Sequence, residues 1–215
     1  MSDIKVKGLK IHLIDASSAN KYIKKNHYSG KVVANSCLHF GVFHNKILYG
    51  VMQFGPPMVK RLMLPFIEGA GWNDILELNR MYFEDLLPKN SESRSIAVAL
   101  RIIKKNKPSM KAVFSFADGC QCGDGTIYRA SGFYLTQIKK NTGLSIDPKT
   151  GIVTHQIAAW HKGQARDHGS WEKLKGYQFR YIHTLGNGKE ILKCPILPFS
   201  KIKEIGAAMY KGKKI

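Results

Sequence analysis

The sequence encodes an α/β fold with a mixed central sheet, and three patterns argue for it. Short apolar runs of strand length recur along the chain, amphipathic helical spacing separates two of them, and a hairpin-sized gap separates another two. The clearest unit runs from Leu76 to Phe133. Leu76, Leu78, Met81, Tyr82 and Phe83 make a strand-like run over residues 76–83, and Ala112, Val113, Phe114 and Phe116 make another over 112–117. Between them Ile96, Ala99, Leu100 and Ile103 share one face of a helix over 96–105, ended by Asn106 and Pro108. Strand, helix and strand in that order favour parallel pairing through a right-handed crossover.

The other elements follow in chain order. Ile4 to Ile14 reads as a first strand, and Ser17 and Ser18 as caps of a helix that carries Ala19, Tyr22 and Ile23 and stops at Gly30. Leu38 to Phe43 and Ile47 to Phe54 form a hairpin across His44-Asn45-Lys46. Met58 to Asn73, broken by Pro65, Gly69 and Gly71, reads as a loop over a pocket. A second helix with Ile127, Ala130 and Ser131 inward ends at Gly132, and a strand begins at Tyr134. Asn141 to Gly176 is polar and loop-rich; Tyr177 to Leu185 is a strand that Gly186-Asn187-Gly188-Lys189 turns into a hairpin with residues 190–192. Residues 1–140 thus form the core, and 141–215 add C-terminal strands, a hairpin and a basic extension packed on it as one structural domain.

Charge narrows the function. The 215 residues carry 34 Lys/Arg against 15 Asp/Glu, a net charge of +19. From Lys139 onward the count is 15 Lys/Arg against 5 Asp/Glu. This balance points to a polyanion, most simply nucleic acid, bound in a salt-sensitive way. Trp160 and Trp171 interleave with Lys162, Arg166, Lys173 and Lys175, as in grooves that hold DNA, and Arg180 extends the set. The first residues do not read as a signal peptide and no stretch reads as a membrane span, so a cytoplasmic protein is expected. Cys37, Cys120, Cys122 and Cys194 are too few and irregular for a disulfide framework.

Several residues stand out chemically. Residues 88–95 (Pro-Lys-Asn-Ser-Glu-Ser-Arg-Ser) lead into the central helix, so their backbone N–H groups, with Lys89 and Arg94, make either an anion site or an ordinary capped turn. Glu92 suits the helix dipole but repels a phosphate. Arg80, on the strand face with Leu78 and Tyr82, needs an anionic partner: Asp118, Glu77 or a ligand. Asp118 ends the next strand, where open α/β sheets place their chemistry, and caps the following helix or orients His27. His27-Tyr28 pairs an imidazole with a phenol, an acid/base combination.

Six strings in order then carry a resemblance: His27-Tyr28-Ser29; Phe40-Gly41-Val42 with Gly50-Val51; Glu77-Leu78-Asn79-Arg80; Pro88 to Arg94; Ser115-Phe116-Ala117-Asp118; and Gly125-Thr126-Ile127-Tyr128 with Ala130, Gly132 and Phe133. Together they resemble the Mom family of bacteriophage DNA modification proteins, a divergent branch of the GNAT acyltransferases, strongly over residues 10–135. The resemblance implies a GNAT-like acyltransferase fold and a transferase that adds an acetamido-type group to the exocyclic amine of adenine in double-stranded DNA, protecting it from restriction. It implies acetyl-CoA or a related acyl donor, whose pyrophosphate would meet Asn90, Ser91, Ser93, Arg94 and Ser95. The acetamido product also admits a redox metal such as iron, with His27 and Asp118 as candidate ligands. His27, Tyr28, Arg80, Asp118 and Tyr128 would be catalytic, and the family leaves room for a homodimer. The chain departs from ordinary acetyltransferases in lacking glycines in the anion loop. The same residues also fit a plain N-acetyltransferase acting on a protein or small amine, or a DNA-binding protein without chemistry.

Overall fold

A computed structural model describes residues 4–210 and 213–214. After a 3-10 turn at Val6–Gly8, β1 spans Lys10–Leu13, shorter than the sequence suggested, and α1 spans Ala16–Asn26. The α1 cap is Asp15, whose carboxylate accepts from the Ser18 N–H at 2.8 Å; the serines lie inside the helix. Gly30, at φ +58°, turns the chain beyond the helix end rather than stopping the helix, whose C-cap is His27.

Strands β2 (Leu38–His44) and β3 (Ile47–Gly55) form the expected hairpin, with Asn45 and Lys46 both at positive φ. The next connection holds α2 (Lys60–Met63) and a 3-10 turn at Leu64–Phe66. Then come β4 (Ile75–Phe83), α3 (Ser91–Asn106), β5 (Ala112–Asp118), α4 (Thr126–Ala130) and β6 (Tyr134–Asn141). Residues 141–175, expected to be loop-rich, hold β7 (Leu144–Ile146), β8 (Val153–His155), α5 (Gln156–His161), α6 (Ala165–Ser170) and β9 (Glu172–Lys173), the strands forming a small sheet ordered β8-β7-β9. The chain continues as β10 (Gly176–Thr184), α7 (Ser200–Glu204), β11 (Met209–Tyr210) and β12 (Lys213–Lys214).

The main sheet has seven strands in the order β1-β2-β3-β4-β5-β10-β6. Neighbours are antiparallel except β4 and β5, which are parallel as predicted. Strand β10 inserts between β5 and β6, so residues beyond 140 complete the sheet. The predicted hairpin after it does not form. Gly186 and Gly188, at φ +76° and +64°, lead the chain across the sheet end, where Ile191 and Lys193 bond to Glu68 and Phe66 and Leu192 bridges Ile67.

Two layers of helix enclose this sheet. Helix α3 buries Ile96, Ala99, Leu100 and Ile103 in the main core with Phe40, Met52, Phe54, Leu78 and Val113. Helix α1 buries Ala19 and Ile23 against Val51, with Tyr82 packed alongside. Among the described residues no helix is long and apolar enough to cross a membrane.

Candidate active site

The two parallel strands pair only from Ile75 to Leu78 and from Ala112 to Ser115, although both continue. Beyond that point they part, and the Ser115 hydroxyl, donating to the Leu78 carbonyl at 3.1 Å, is the last link between them. A β-bulge in β4 adds to the divergence: Gln53 faces Arg80 and Phe54 faces Leu78, which leaves Asn79 as the extra residue. The bulge also corrects the predicted facing. Leu78 and Met81 belong to the main core while Tyr82 packs on the α1 side, so Leu78 and Tyr82 do not share a face. Into the opening fits a cavity of about 640 Å³ at the carboxyl ends of the strands, a volume typical of small-molecule sites.

His27, Tyr28, Arg80, Asp118 and Tyr128, five residues scattered over a hundred positions of sequence, all line this cavity. His27 is the C-cap of α1, and its Nδ1 takes the Ser29 N–H at 3.1 Å and lies 2.8 Å from the Ser29 hydroxyl. An Nδ1 that accepts a backbone N–H carries no proton, which assigns the neutral ring's proton to Nε2. Burial, with the Arg80 charge adding to it, lowers the His27 pKa to about 4. The Tyr28 ring stacks on His27 at 4.2 Å between centroids. Burial, then the neighbouring Cys122 and Asp118, raises its phenol well above the ordinary value. Tyr128 packs between Phe133 and Tyr181, and burial pushes its phenol up to about 12.

Arg80 does not meet a carboxylate. Its Nε donates to the Lys31 carbonyl at 3.0 Å and its Nη1 to the Asn79 carbonyl at 2.6 Å, and it makes no ion pair among the described residues. Asp118 does not orient His27 either. Its carboxylate accepts from the Cys120 N–H at 3.0 Å, the Asn141 amide at 3.3 Å and the Gln121 amide at 3.5 Å, which pins the loop after β5. Nor does Asp118 cap α4, whose N-cap is Gly125 at φ +86°. A side chain at Gly125 would collide with the Tyr181 ring.

Two cavity residues were missed as site candidates by sequence reasoning. Glu77, considered only as a partner for Arg80, lines the cavity, and burial raises its carboxyl pKa against the opposing Met58 N–H and Arg80 charge. Asn79 lines it as well; its Oδ1 accepts from the Ser36 hydroxyl at 2.9 Å, while its buried Nδ2 has no partner. The available signal was the string Glu-Leu-Asn-Arg, whose polar residues sit inside an otherwise apolar strand.

The predicted anion residues lie elsewhere. Ser91, Ser93, Arg94 and Ser95 are in the first turns of α3, not in a loop, and none of them lines the cavity. The hydroxyls of Ser91 and Ser93 donate back to the carbonyls of Pro88 and Asn90, and Ser95 is buried. Asn90 takes the left-handed conformation, φ 71°, which apart from glycine asparagine adopts most readily, and no side chain caps the helix. The Ser91 N–H donates to the Pro88 carbonyl at 3.1 Å, which leaves the Glu92 and Ser93 N–H groups without a partner among the described residues, beside the exposed Arg94.

Lys162, Arg166, Lys173 and Lys175 are exposed, but Arg180 is 6 % exposed and sits inside the fold, its Nε on the Thr136 hydroxyl at 2.9 Å and its guanidinium 4.0 Å over the Phe66 ring. It is not a surface cation for DNA. Among the described residues no three His, Cys, Asp or Glu side chains cluster as metal ligands. With His27 bonded to Ser29 and Asp118 to three N–H donors, the pair does not fit an iron site.

Known proteins agree with this architecture. A sequence profile of the Mom protein family matches residues 8–201. The methylcarbamoylase Mom of Escherichia phage Mu is 39% identical over 156 residues, covering 70% of this chain and 61% of the phage protein. Among solved structures, spermidine/spermine N-acetyltransferase SpeG from Vibrio cholerae aligns at a TM-score of 0.50 and 8% identity over 84% of this chain and 94% of its own. YncA of Salmonella typhimurium, solved with acetyl-CoA, aligns at 0.49 and 10% identity over 87% and 99%. The fold is that of the GNAT acetyltransferases, and by its sequence the chain belongs to the Mom protein family.

Proposed function

We propose that this protein is a transferase that modifies the exocyclic amine of adenine in double-stranded DNA, with the target base turned out of the helix into the cavity between β4 and β5. An amine paired inside a duplex is unreachable otherwise. The family and the basic surface support DNA as substrate. The methylcarbamoyl group named for the phage relative and an acetamido-type group are isomers, so either is consistent with the same increment in mass.

One observation carries the chemistry: Glu77 is the cavity carboxylate left free to take a proton. Asp118 is occupied by its three N–H donors, and Asp124 is paired with Arg129 at 2.9 Å. His27, neutral and with Nδ1 engaged, offers an Nε2–H donor rather than a base. Tyr28 and Tyr128 stay protonated. Glu77, with its pKa raised and no ion pair among the described residues, accepts the proton that the amine loses as its new bond forms. Arg80, which lines the cavity, supplies a donor where negative charge develops. When bound, a CoA thioester whose transferred group already carries the extra nitrogen would supply the activated carbon and a thiolate leaving group. Tyr128 would protonate that group, and the Glu92 and Ser93 N–H groups of α3 with Arg94 would hold the donor's phosphates.

Mass spectrometry of nucleosides from DNA of cells expressing the protein tests this. A new deoxyadenosine species is expected, falling by roughly 10²- to 10⁴-fold in Glu77→Gln. Release of CoA with a simple amine and no DNA would favour a plain N-acetyltransferase, and unmodified nucleosides from a DNA-binding protein would favour a binder without chemistry.

A further inference from the structure

The connection between β3 and β4 carries the densest set of exposed apolar side chains in the described structure. Met58 is 78% exposed, Leu62 62%, Trp72 59% and Val59 51%. The segment is nonetheless held firmly. At its start the Asn35 amide donates to the Pro56 carbonyl at 2.8 Å, and Gly55 lies so close to the Asn35 backbone that a side chain there would collide with it. At its far end Lys111 donates to the carbonyls of Glu68 and Gly69, and Ile67 is buried against Ile75 and Phe114. The connection is a fixed support with an apolar tip.

Three features indicate what the tip meets. The tip is cationic: Lys60 and Arg61 lie within it, while of the two acids of the connection Glu68 is paired with Lys193 at 2.8 Å and Asp74 accepts the Gly71 N–H at 2.8 Å. Lys60 sits 4.8 Å over the Trp72 ring, which puts a cation and an aromatic face side by side. The connection leaves β3 at Gly55, which pairs with Glu77, and Asn35, which holds Pro56, is followed by Ser36, whose hydroxyl donates to Asn79, so the base of the tip stands beside two residues of the cavity that receives the target base. A base leaving a duplex opens a gap and breaks stacking on both sides. Proteins that open base steps fill such gaps with apolar side chains and hold the flanking phosphates with cations.

We propose that the tip formed by Met58 and Leu62 with Trp72 is a wedge that enters the DNA duplex at the position vacated by the target adenine, while Lys60 and Arg61 grip the adjoining phosphates. The inference rests on the DNA-modification reading and adds how the duplex is opened. The wedge takes the place of the lost base in the stack, and the flipped adenine lies beside it in the cavity.

Permanganate oxidation of sheared duplex DNA with the purified protein tests it, because permanganate attacks unstacked thymines, and the partner of a flipped adenine is one. The wild type is expected to create reactive thymines at discrete positions. The variant Met58→Ala/Leu62→Ala/Trp72→Ala, altered only at exposed positions, is expected to keep its melting temperature and to bind duplex within a few-fold of wild type while losing at least tenfold of that reactivity. A separate Lys60→Ala/Arg61→Ala variant should weaken duplex binding and flatten its log salt dependence by about 2. Undiminished thymine reactivity in the triple variant overturns the wedge. So does a wild type that modifies adenine, by nucleoside mass spectrometry, without reactive thymines; that result leaves the DNA-modification reading standing. A wild type that neither modifies nor binds DNA removes both readings.

Discussion

Two arginines, two strands apart in the sheet, show how differently this fold uses a buried cation. Arg180 on β10 is enclosed: its Nε and Nη2 reach the hydroxyl and carbonyl of Thr136, and its flat face lies on Phe66. Arg80 on β4 is anchored too, through Nε and Nη1 to two backbone carbonyls, but it lines the cavity and none of its hydrogen bonds uses Nη2. Burial lowers the pKa of both guanidinium groups. Burial alone therefore does not separate a structural arginine from a functional one. What separates them is whether donors remain free where a ligand fits.

The contrast breaks most visibly at Arg80. Lysine keeps the charge but loses the planar fork that spans the Lys31 and Asn79 carbonyls and still presents an edge to the cavity. Arg80→Lys is expected to lower DNA modification by roughly 10²- to 10³-fold, the range for losing one donor to developing charge, with little change in melting temperature. Full activity in Arg80→Lys, measured as modified deoxyadenosine per protein, would leave the residue structural like its counterpart.

The opposite pattern is expected at Arg180. Replacing it with methionine keeps the contact with Phe66 but leaves the buried Thr136 hydroxyl oxygen without a donor, the hydroxyl keeping only the bond it donates to the residue-180 carbonyl. An unsatisfied buried group costs roughly 1–3 kcal/mol. In a chain of this size each kcal/mol lowers the melting temperature by about 2–4 °C. Calorimetry should show that loss, while modification by the folded fraction and its affinity for DNA stay at wild-type level. A drop in DNA affinity without a drop in stability would restore Arg180 to the DNA-contacting surface.

That pair also shows how far the sequence could be read. Its periodicity revealed β4, α3 and β5 and their parallel order, because all three bury apolar faces in one core. The five cavity residues were found through strings resembling a family, and the cavity brings them together. Their roles were less legible because they depend on tertiary partners. Asp118 resembled a free carboxylate until Asn141, twenty-three residues on, bonded to it. Arg180 reads from sequence as one more cation of the basic C-terminal third, but the insertion of β10 between β5 and β6 encloses it. Glu77 reads from sequence as a partner for Arg80, since a carboxylate in a strand suggests an ion pair, and only the folded structure shows that it lines a cavity instead. The small sheet over residues 144–173 escaped notice because its strands are two or three residues long, too short for alternation to register.

The smallest effect tests the electrostatics around Arg80. His27 titrates at about 4 because burial disfavours its charged form and Arg80 adds to that. Between pH 6.5 and about 4 the unfolded chain binds a proton at this position and the folded chain does not, so stability is complete above that window and declines as pH falls through it. The full shift bounds the effect at about 3 kcal/mol, and the partial access of solvent to the ring brings it nearer 1 kcal/mol. His27→Asn should flatten the decline in urea-unfolding free energy across that window by this amount. Because burial outweighs the Arg80 charge, Arg80→Met should move the His27 titration, followed by its ring proton resonances, part of the way back toward 6.5 and not the whole way. An unmoved titration would mean that Arg80 directs its charge away from His27, and the contrast with Arg180 would then rest on hydrogen bonding alone.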